Sequence, residues 1–447
     1  MKASSVKSKF VLKCMRFDGK FHLSEGLEVR KIIAKCPYGT DIIENVTTNI
    51  YCPGIFSRNY TKTGTPFLGG GDILKANYDS GKYLREKTTP NHKTLAVKRG
   101  STLVTCGGTI GCAAFVNSSL SKCWASQHVM RVEPKGIKEG LLYSYLASKH
   151  GYLLLTTNTY GSVIPTLNSE NIASLPIPNF PQEFQANVDN LIQESAQLRE
   201  EATDTLYEAI SLVENEIGSS RINLGYNYGS VSSSCLTSQF QRFDSQYQLG
   251  MKQLSKIKRN LKTSKLGSFA TDIFVGNRGK RIYVKKGIPF ISSSDMMLAN
   301  PLRDCKQISK NTPGLSQMIV NKGDILISRS GTVGNTIIVG DYLSGTAVSE
   351  HAMKLVIDKS KIAPEYVYAY LLTGQGQDSL KTLPYGSVIV TLGEMFLADL
   401  DLPLIDGAIY EEVVKLIKNY ITKSDESVRM ENEAIAMVEQ EIEKWNK

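Results

Sequence analysis

Between residues 181 and 217 the apolar positions fall three or four apart: Phe184, Val188, Leu191, Leu198, Ala202, Leu206, Ile210, Val213 and Ile217. Residues 406–447 repeat the pattern with Ile409, Val413, Leu416, Tyr420, Val428, Ile435, Val438 and Ile442. Past Pro181 and Gly407 neither stretch contains Gly or Pro, and Pro178, Pro181 and Pro403 stand as helix-start signals. The pattern predicts two helices of roughly 50 Å each. So narrow an apolar seam suits a coiled coil better than a core-facing helix. A lone helix would expose its seam, so the two are expected to pair, as an antiparallel coiled coil.

The remaining segments, 1–180 and 236–405, read differently. Short apolar runs such as Thr102–Thr105 and Asp324–Ser328 end in Gly turns, the pattern of strands. Residues 139–148 and 364–372 carry tyrosines and leucines at helical spacing and predict one short helix in each segment. The expected fold class is α+β. A Gly/Ser/Asn-rich stretch, 218–235, reads as a linker.

These segments form an internal repeat. Arg16-Phe17-Asp18 recurs as Arg242-Phe243-Asp244, and Pro66-Phe67 with Asp72 recurs as Pro289-Phe290 with Asp295. Gly108-Thr109-Ile110-Gly111 recurs as Gly331-Thr332-Val333-Gly334, and His128 and Met130 recur as His351 and Met353. Tyr160-Gly161-Ser162-Val163-Ile164 matches Tyr385-Gly386-Ser387-Val388-Ile389, and Glu208–Ile217 matches Glu433–Ile442. The offsets are 226, then 223, then 225, in consistent order. A period this long is a duplicated module rather than a solenoid. The expected domains are 1–180, helix 181–217, linker 218–235, a second domain 236–405 and helix 406–447, the globular pair being pseudo-symmetric.

Composition narrows the class. The chain has 447 residues, 41% hydrophobic and 21% charged, as in globular proteins. No apolar run approaches the roughly 18 residues of a membrane span, and the N-terminus lacks the apolar region of a secretory signal. No membrane association and a cytoplasmic location are expected. The eight cysteines include no CxxC pair, so free thiols are expected and zinc is not. Charge is segregated. Residues 1–180 carry +12 and 236–405 carry +8, while 181–217 carry −8 and 406–447 carry −4. Basic globular domains beside acidic helices fit a protein that grips a polyanion, since phosphate contacts dominate such binding.

Catalytic motifs are missing. Phe67-Leu68-Gly69-Gly70-Gly71-Asp72 imitates the FxGxG turn of methyltransferases, but its counterpart, Phe290-Ile291-Ser292-Ser293-Ser294-Asp295, has no glycine. No Pro-Pro and no GxxxxGK[ST] occurs. Asp295, Asp304 and Lys306 resemble a nuclease set, but the first half lacks it. His128 and His351 read as structural histidines satisfied by backbone, and the Gly-Thr-x-Gly repeats as tight turns rather than phosphate cradles. The candidate DNA contacts are therefore basic loop residues: Arg58, Lys62, Arg85, Lys87 and Lys93 in the first half. In the second half they are Arg278, Lys280, Arg281, Lys285, Lys286 and Arg329. Arg and Lys pair with guanine or neutralise phosphate, and Asn59 and Asn277 in the same loops could read adenine. No catalytic or metal-binding residue is expected.

The runs ILISRSGTVGNTIIV, AVSEHAMKLV, APEYVYAYLL and YGSVIVTL, followed by a long helix, resemble the specificity subunit of type I restriction–modification enzymes. The first half repeats them more loosely, with Cys106-Gly107 where the second has Arg329-Ser330. The resemblance implies two target-recognition domains, each reading half of a bipartite double-stranded DNA target. It also implies helices that act as a ruler and dock two DNA methyltransferase subunits, with restriction subunits added in a full complex. S-adenosylmethionine, ATP and Mg²⁺ would belong to those partners, so the chain itself is expected to need no cofactor and to catalyse nothing. A type IIB-like specificity subunit, a methyltransferase–specificity fusion and a non-DNA coiled-coil adaptor are the alternatives. Inserting about four residues near Asn215 is expected to lengthen the unread spacer of the target.

Overall fold

The computed structural model describes residues 6, 8–14, 17, 19–157, 159, 166–222, 228–236, 240–276, 278–386, 388 and 390–446. The first Tyr-Gly-Ser-Val-Ile repeat, along with Arg16, Asp18 and Asn277, lies outside them. The chain falls into two compact units, Met1–Glu200 with Glu426–Lys447, and Glu201–Asp425.

The described strands of the first unit are β1 (Thr40–Ile42), β2 (Thr47–Tyr51), β3 (Thr65–Leu68), β4 (Tyr83–Leu84) and β5 (Thr102–Thr105). They continue with β6 (Ala113–Phe115), β7 (Trp124–Ala125), β8 (Val129–Pro134) and β9 (Pro176–Pro178). An antiparallel sheet runs β2–β8–β5–β6. Strand β3 pairs antiparallel with β4 and parallel with β7, and β1 pairs with β9. The second unit begins with β10 (Thr263–Lys265), β11 (Ala270–Val275), β12 (Tyr283–Ile291), β13 (Lys306–Ile308) and β14 (Ile325–Ser328). It continues with β15 (Thr336–Ile338), β16 (Ala347–Val348), β17 (Ala352–Ile357) and β18 (Asp401–Pro403). Adding nine to each label converts the first topology into the second, parallel pair included. Even the register is kept, since Val104 faces Met130 and Ile327 faces Met353.

The strand sequences read as near-continuous apolar runs because the four-stranded sheet is buried on both faces. Alternate residues of β5 enter different cores. Val104 joins Met130, Val132 and the helices, while Leu103 joins Leu68, Ala125 and Val129 of the smaller sheet side. Ile325 and Ile327 against Leu326 repeat the division in β14. Each unit is thus helices, a four-stranded sheet and a three-stranded sheet, the α+β class expected.

The short helices differ from expectation. Each unit has two in succession, Glu139–Ala147 then Lys149–Thr157, and Pro364–Leu372 then Gly374–Thr382. Hydroxyls make the joints. Ser148 Oγ donates to the Tyr145 carbonyl and accepts from Gly151 N–H, and Thr373 Oγ does the same with Tyr370 and Gly376. A Cβ on Gly151 or Gly376 would fall inside the van der Waals radius of those same carbonyl oxygens. Gly151→Ala or Gly376→Ala is therefore expected to destabilise its unit by about 1–3 kcal/mol, read as a lower urea midpoint. An unchanged midpoint would show that the joint is slack.

The long helices run Gln182–Ile217 and Ala408–Lys444. In the first unit Phe180 packs on Trp445, and Ser195 and Ser427 exchange hydroxyl-to-carbonyl bonds of 2.7 and 2.9 Å, so the helices run antiparallel. In the second, Glu201 at the start of its share of one helix bridges Lys423 near the end of its share of the other, at 2.8 Å. The buried face is broader than the seam read from sequence. It includes Ile192, Ser195, Ala196, Thr205 and Ala209, whereas Leu191, Leu198, Leu206 and Ile210 are only half-buried. The helices pack on each other through small residues and also complete the globular cores, which a two-stranded seam would not do. Among the described residues no helix is long and apolar enough to cross a membrane.

Candidate nucleic-acid interface

Strands β3 and β12 each carry a buried phenylalanine as their last-but-one residue, Phe67 and Phe290, and each ring supports an arginine. Arg58 lies 5.3 Å from the Phe67 ring centre and donates to Gln127 Oε1 at 2.7 Å. Arg281 lies 5.2 Å from the Phe290 ring and pairs with the Glu350 carboxylate. Every member of the second set stands 223 residues after its equivalent in the first: Arg58 and Arg281, Phe67 and Phe290, Gln127 and Glu350. A guanidinium over a ring contributes about 0.5–2 kcal/mol, and the amide or carboxylate fixes its orientation.

The histidines extend these clusters. His351 Nδ1 and Ser330 Oγ are 2.7 Å apart, and His351 Nε2 is 3.7 Å from Glu350. His128 Nε2 is 3.4 Å from Gln127 Nε2 and lies against Gly107, where a Cβ would meet its ring. Both histidine side chains are solvent-exposed. This corrects the expectation of histidines satisfied by backbone: their partners are side chains, and they face outward.

The other expected contacts distribute around these centres. Lys62, Lys87 and Lys93 are exposed, and Arg85 is exposed but tied to Thr63 through its carbonyl and hydroxyl at 3.2 and 2.8 Å. Arg85 is thus held at the end of the Arg58–Lys62 segment through Thr63, and His92, next to Lys93, stacks on Trp124, the strand partner of Phe67. Arg278, Lys280, Lys285 and Lys286 are exposed along the approach to β12 and on it. Arg281 is largely enclosed, its side chain 15% exposed. Arg329 is half-buried, its backbone N–H bonded to the His351 carbonyl, which brings it into the same cluster.

Not all positive charge is on the surface. Arg131 is buried and donates to the carbonyls of Leu95, Ala125, Ser126 and Val129 at 2.5–3.1 Å, knitting the loop that carries Gln127 and His128. Burial pushes its pKa down to about 10, still charged at neutral pH. Lys354, 223 residues on, donates to the Gln317 and Ile319 carbonyls. Composition counted these two among the basic residues but could not show them turned inward. Arg242 is similar: buried, bonded to the Leu383 and Pro384 carbonyls and paired with Asp244, which caps helix Ser245–Ile257. The Arg-Phe-Asp repeat is therefore a packing device in the second unit.

The catalytic look-alikes resolve into turns. Asp72 accepts from Gly69 N–H at 3.0 Å, and Asp295 accepts from Ser292 N–H at 2.8 Å, so each aspartate closes the turn behind its phenylalanine. Serine serves as well as glycine there because the shared bond uses a backbone N–H, to which the Ser292 hydroxyl adds its own bond to Asp295 at 2.7 Å. Lys306 lies over the Tyr283 ring at 5.3 Å. The Gly-Thr-x-Gly segments are the β5–β6 and β14–β15 turns. Gly108, Gly111, Gly331 and Gly334 all have left-handed φ of 74–96°, which favours glycine.

Charge alone groups these basic loops and misses a pattern that the 223-residue offset exposes. Arg58-Asn59-Tyr60-Thr61-Lys62 aligns with Arg281-Ile282-Tyr283-Val284-Lys285, a shared Arg-x-Tyr-x-Lys.

Residues 50–192 match the family described as Type I restriction modification DNA specificity domain. No curated protein matches the chain. Among solved structures, the type I restriction–modification S subunit from M. genitalium is 13% identical, with 92% of this chain and 96% of that one covered and a TM-score of 0.38. The HsdS subunit from Thermoanaerobacter tengcongensis is also 13% identical, over 92% and 96%, with a TM-score of 0.29. A structure described in terms of complex assembly and conformational transition of the type I R-M system is 14% identical, over 92% and 98%, with a TM-score of 0.30.

Proposed function

We propose that this chain, whose residues 50–192 match the family described as Type I restriction modification DNA specificity domain, is the DNA-reading subunit of a restriction–modification complex. The observation that carries the reading is the doubling. The second unit repeats the first strand for strand, and both place an arginine, an aromatic platform and exposed lysines at the same offset. One DNA-specificity fold used twice implies a target in two blocks. Domains 1–180 and 236–405 would each read one block, helices 181–217 and 406–447 would space them and dock two DNA methyltransferase subunits, and 218–235 would link the halves. The chain would perform no chemistry. Base modification and any cleavage would fall to the methyltransferase and restriction subunits, which hold the cofactors.

The test is salt-dependent binding of duplex DNA by the isolated chain. Reversing Arg278, Lys280 and Lys286 to glutamate is expected to weaken binding and to lower the slope of log K against log salt. The drop should be about 1 for each phosphate that is no longer neutralised. An unchanged slope would move the DNA surface away from this loop. No binding of the unaltered chain to duplex DNA at low salt would favour a helix-only adaptor. Calorimetric binding of S-adenosylmethionine to the chain alone would overturn the non-catalytic reading.

A further inference from the structure

We infer that Arg58–Lys62 and Arg281–Lys285 are one element used twice, a phosphate clamp in which tyrosine and lysine grip the DNA backbone and arginine positions them. The inference rests on the DNA-reading function proposed above.

The geometry of the two copies agrees closely. In both copies the arginine and the tyrosine two residues on lie against the same phenylalanine. Phe67 lies 5.3 Å from Arg58 and 6.1 Å from the Tyr60 ring; Phe290 lies 5.2 Å from Arg281 and 6.3 Å from the Tyr283 ring. The tyrosines are 47% and 53% exposed, and Lys62 and Lys285 are exposed. Each unit therefore presents an exposed phenol and, two residues on, an exposed ammonium.

The pattern of sameness and difference assigns the ligand. Two units that read different blocks share only what all duplex DNA shares, which is the phosphate backbone. Arginine, phenylalanine, tyrosine, lysine and histidine are identical in both clusters. The residues around them are not: Gln127 stands against Glu350, Cys106 against Arg329, Gly107 against Ser330 and Thr63 against Lys286. The constant residues therefore hold the register, and the variable ones are the place for base readout. Arg58 and Arg281, committed to Phe and to Gln127 or Glu350, are positioning residues rather than DNA contacts.

The test uses the full chain, a duplex of random sequence, and a selection of bound sites from a random pool. Lys62→Ala and Lys285→Ala are each expected to lower the salt slope by about 1, and the double variant by about 2, with the selected sequence unchanged. Tyr60→Phe and Tyr283→Phe should weaken binding without altering the slope. Arg281→Lys keeps its charge but loses the planar fork, so affinity should fall at constant slope and constant melting temperature. Unchanged slopes in the lysine variants overturn the clamp. So does a changed base preference in one block, which would make the element a base reader. Equal slopes on single-stranded RNA would reveal a general polyanion grip and overturn the duplex assignment. If the unaltered chain binds no duplex DNA, the functional reading itself fails, and the clamp with it.

Discussion

Glu431→Ala is expected to destabilise the unit formed by Met1–Glu200 and Glu426–Lys447 by about 3–5 kcal/mol, the cost of stripping one partner from a buried charge pair. The Glu431 side chain is 5% exposed and accepts from the Tyr143 hydroxyl and from Arg199, 3.3 Å away and 19% exposed. Burial alone would push the Arg199 pKa down, but Glu431 and the phenols of Tyr78 and Tyr143 hold it above the usual arginine value. Removing the carboxylate leaves that charge in the same enclosure, facing a methyl group. For a unit of this size each kcal/mol moves the melting temperature by roughly 2–4 °C, so a drop of roughly 10 °C should appear in calorimetry. Glu431→Gln keeps an acceptor for Tyr143 and should lose less. A loss below about 1 kcal/mol for the alanine variant would show that water replaces the carboxylate.

Adding one heptad to both long helices, after Glu200 and after Asp425, is expected to lengthen the unread spacer of the DNA target by about three base pairs. Seven residues add roughly 10.5 Å of helix, against 3.4 Å per base pair. They turn the buried face by only about 20°. The structure changes where such an insertion belongs. Asn215 lies between Val213 and Ile217, both buried in the core of the second unit, and Gln375 Nε2 donates to the Ile217 and Gly218 carbonyls. Four residues inserted near Asn215 would unseat Ile217 and damage that core rather than move a reading unit. A change in one helix alone would also break the antiparallel pairing seen at Ser195 and Ser427. Sequencing the sites methylated by the altered chain with its methyltransferase decides the matter. Blocks that change while the spacing stays fixed would remove the ruler.

The duplication was fully visible in the sequence, and with it the α+β class and the two long helices, because apolar periodicity and collinear offsets survive divergence. The seam was less legible. Leu191, Leu198 and Leu206 are large enough to define a seam, yet Ser195, Ala196 and Ala209, which periodicity scores weakly, are the more deeply buried. Helix Gly374–Thr382, GQGQDSLKT, was invisible for a similar reason. Its two glycines with Asp378, Ser379 and Thr382 are weak helix formers, and the Thr373 cap and its packing against Tyr370 and Leu371 override them. Within the candidate site the basic residues could be named but not sorted. That Arg281 is held by Glu350, 69 residues away, while Lys285 stands open to solvent, depends on contacts that no local pattern encodes.

The division of the chain also has a consequence in time. The second unit, Glu201–Asp425, is continuous in sequence, whereas the first needs Glu426–Lys447 to close. Ala434, Val438, Ile442 and Trp445 fill the core around Val188 and Ile192, and all four are synthesised after the whole of the second unit. The half made first therefore cannot complete its core until the last helix has been made. A chain that terminates near Asp425 would keep an intact second unit attached to an unsealed first one, the kind of exposed apolar surface that aggregates or is degraded. Residues Glu426–Lys447 are thus the closing piece of the first unit: without them its core stays open.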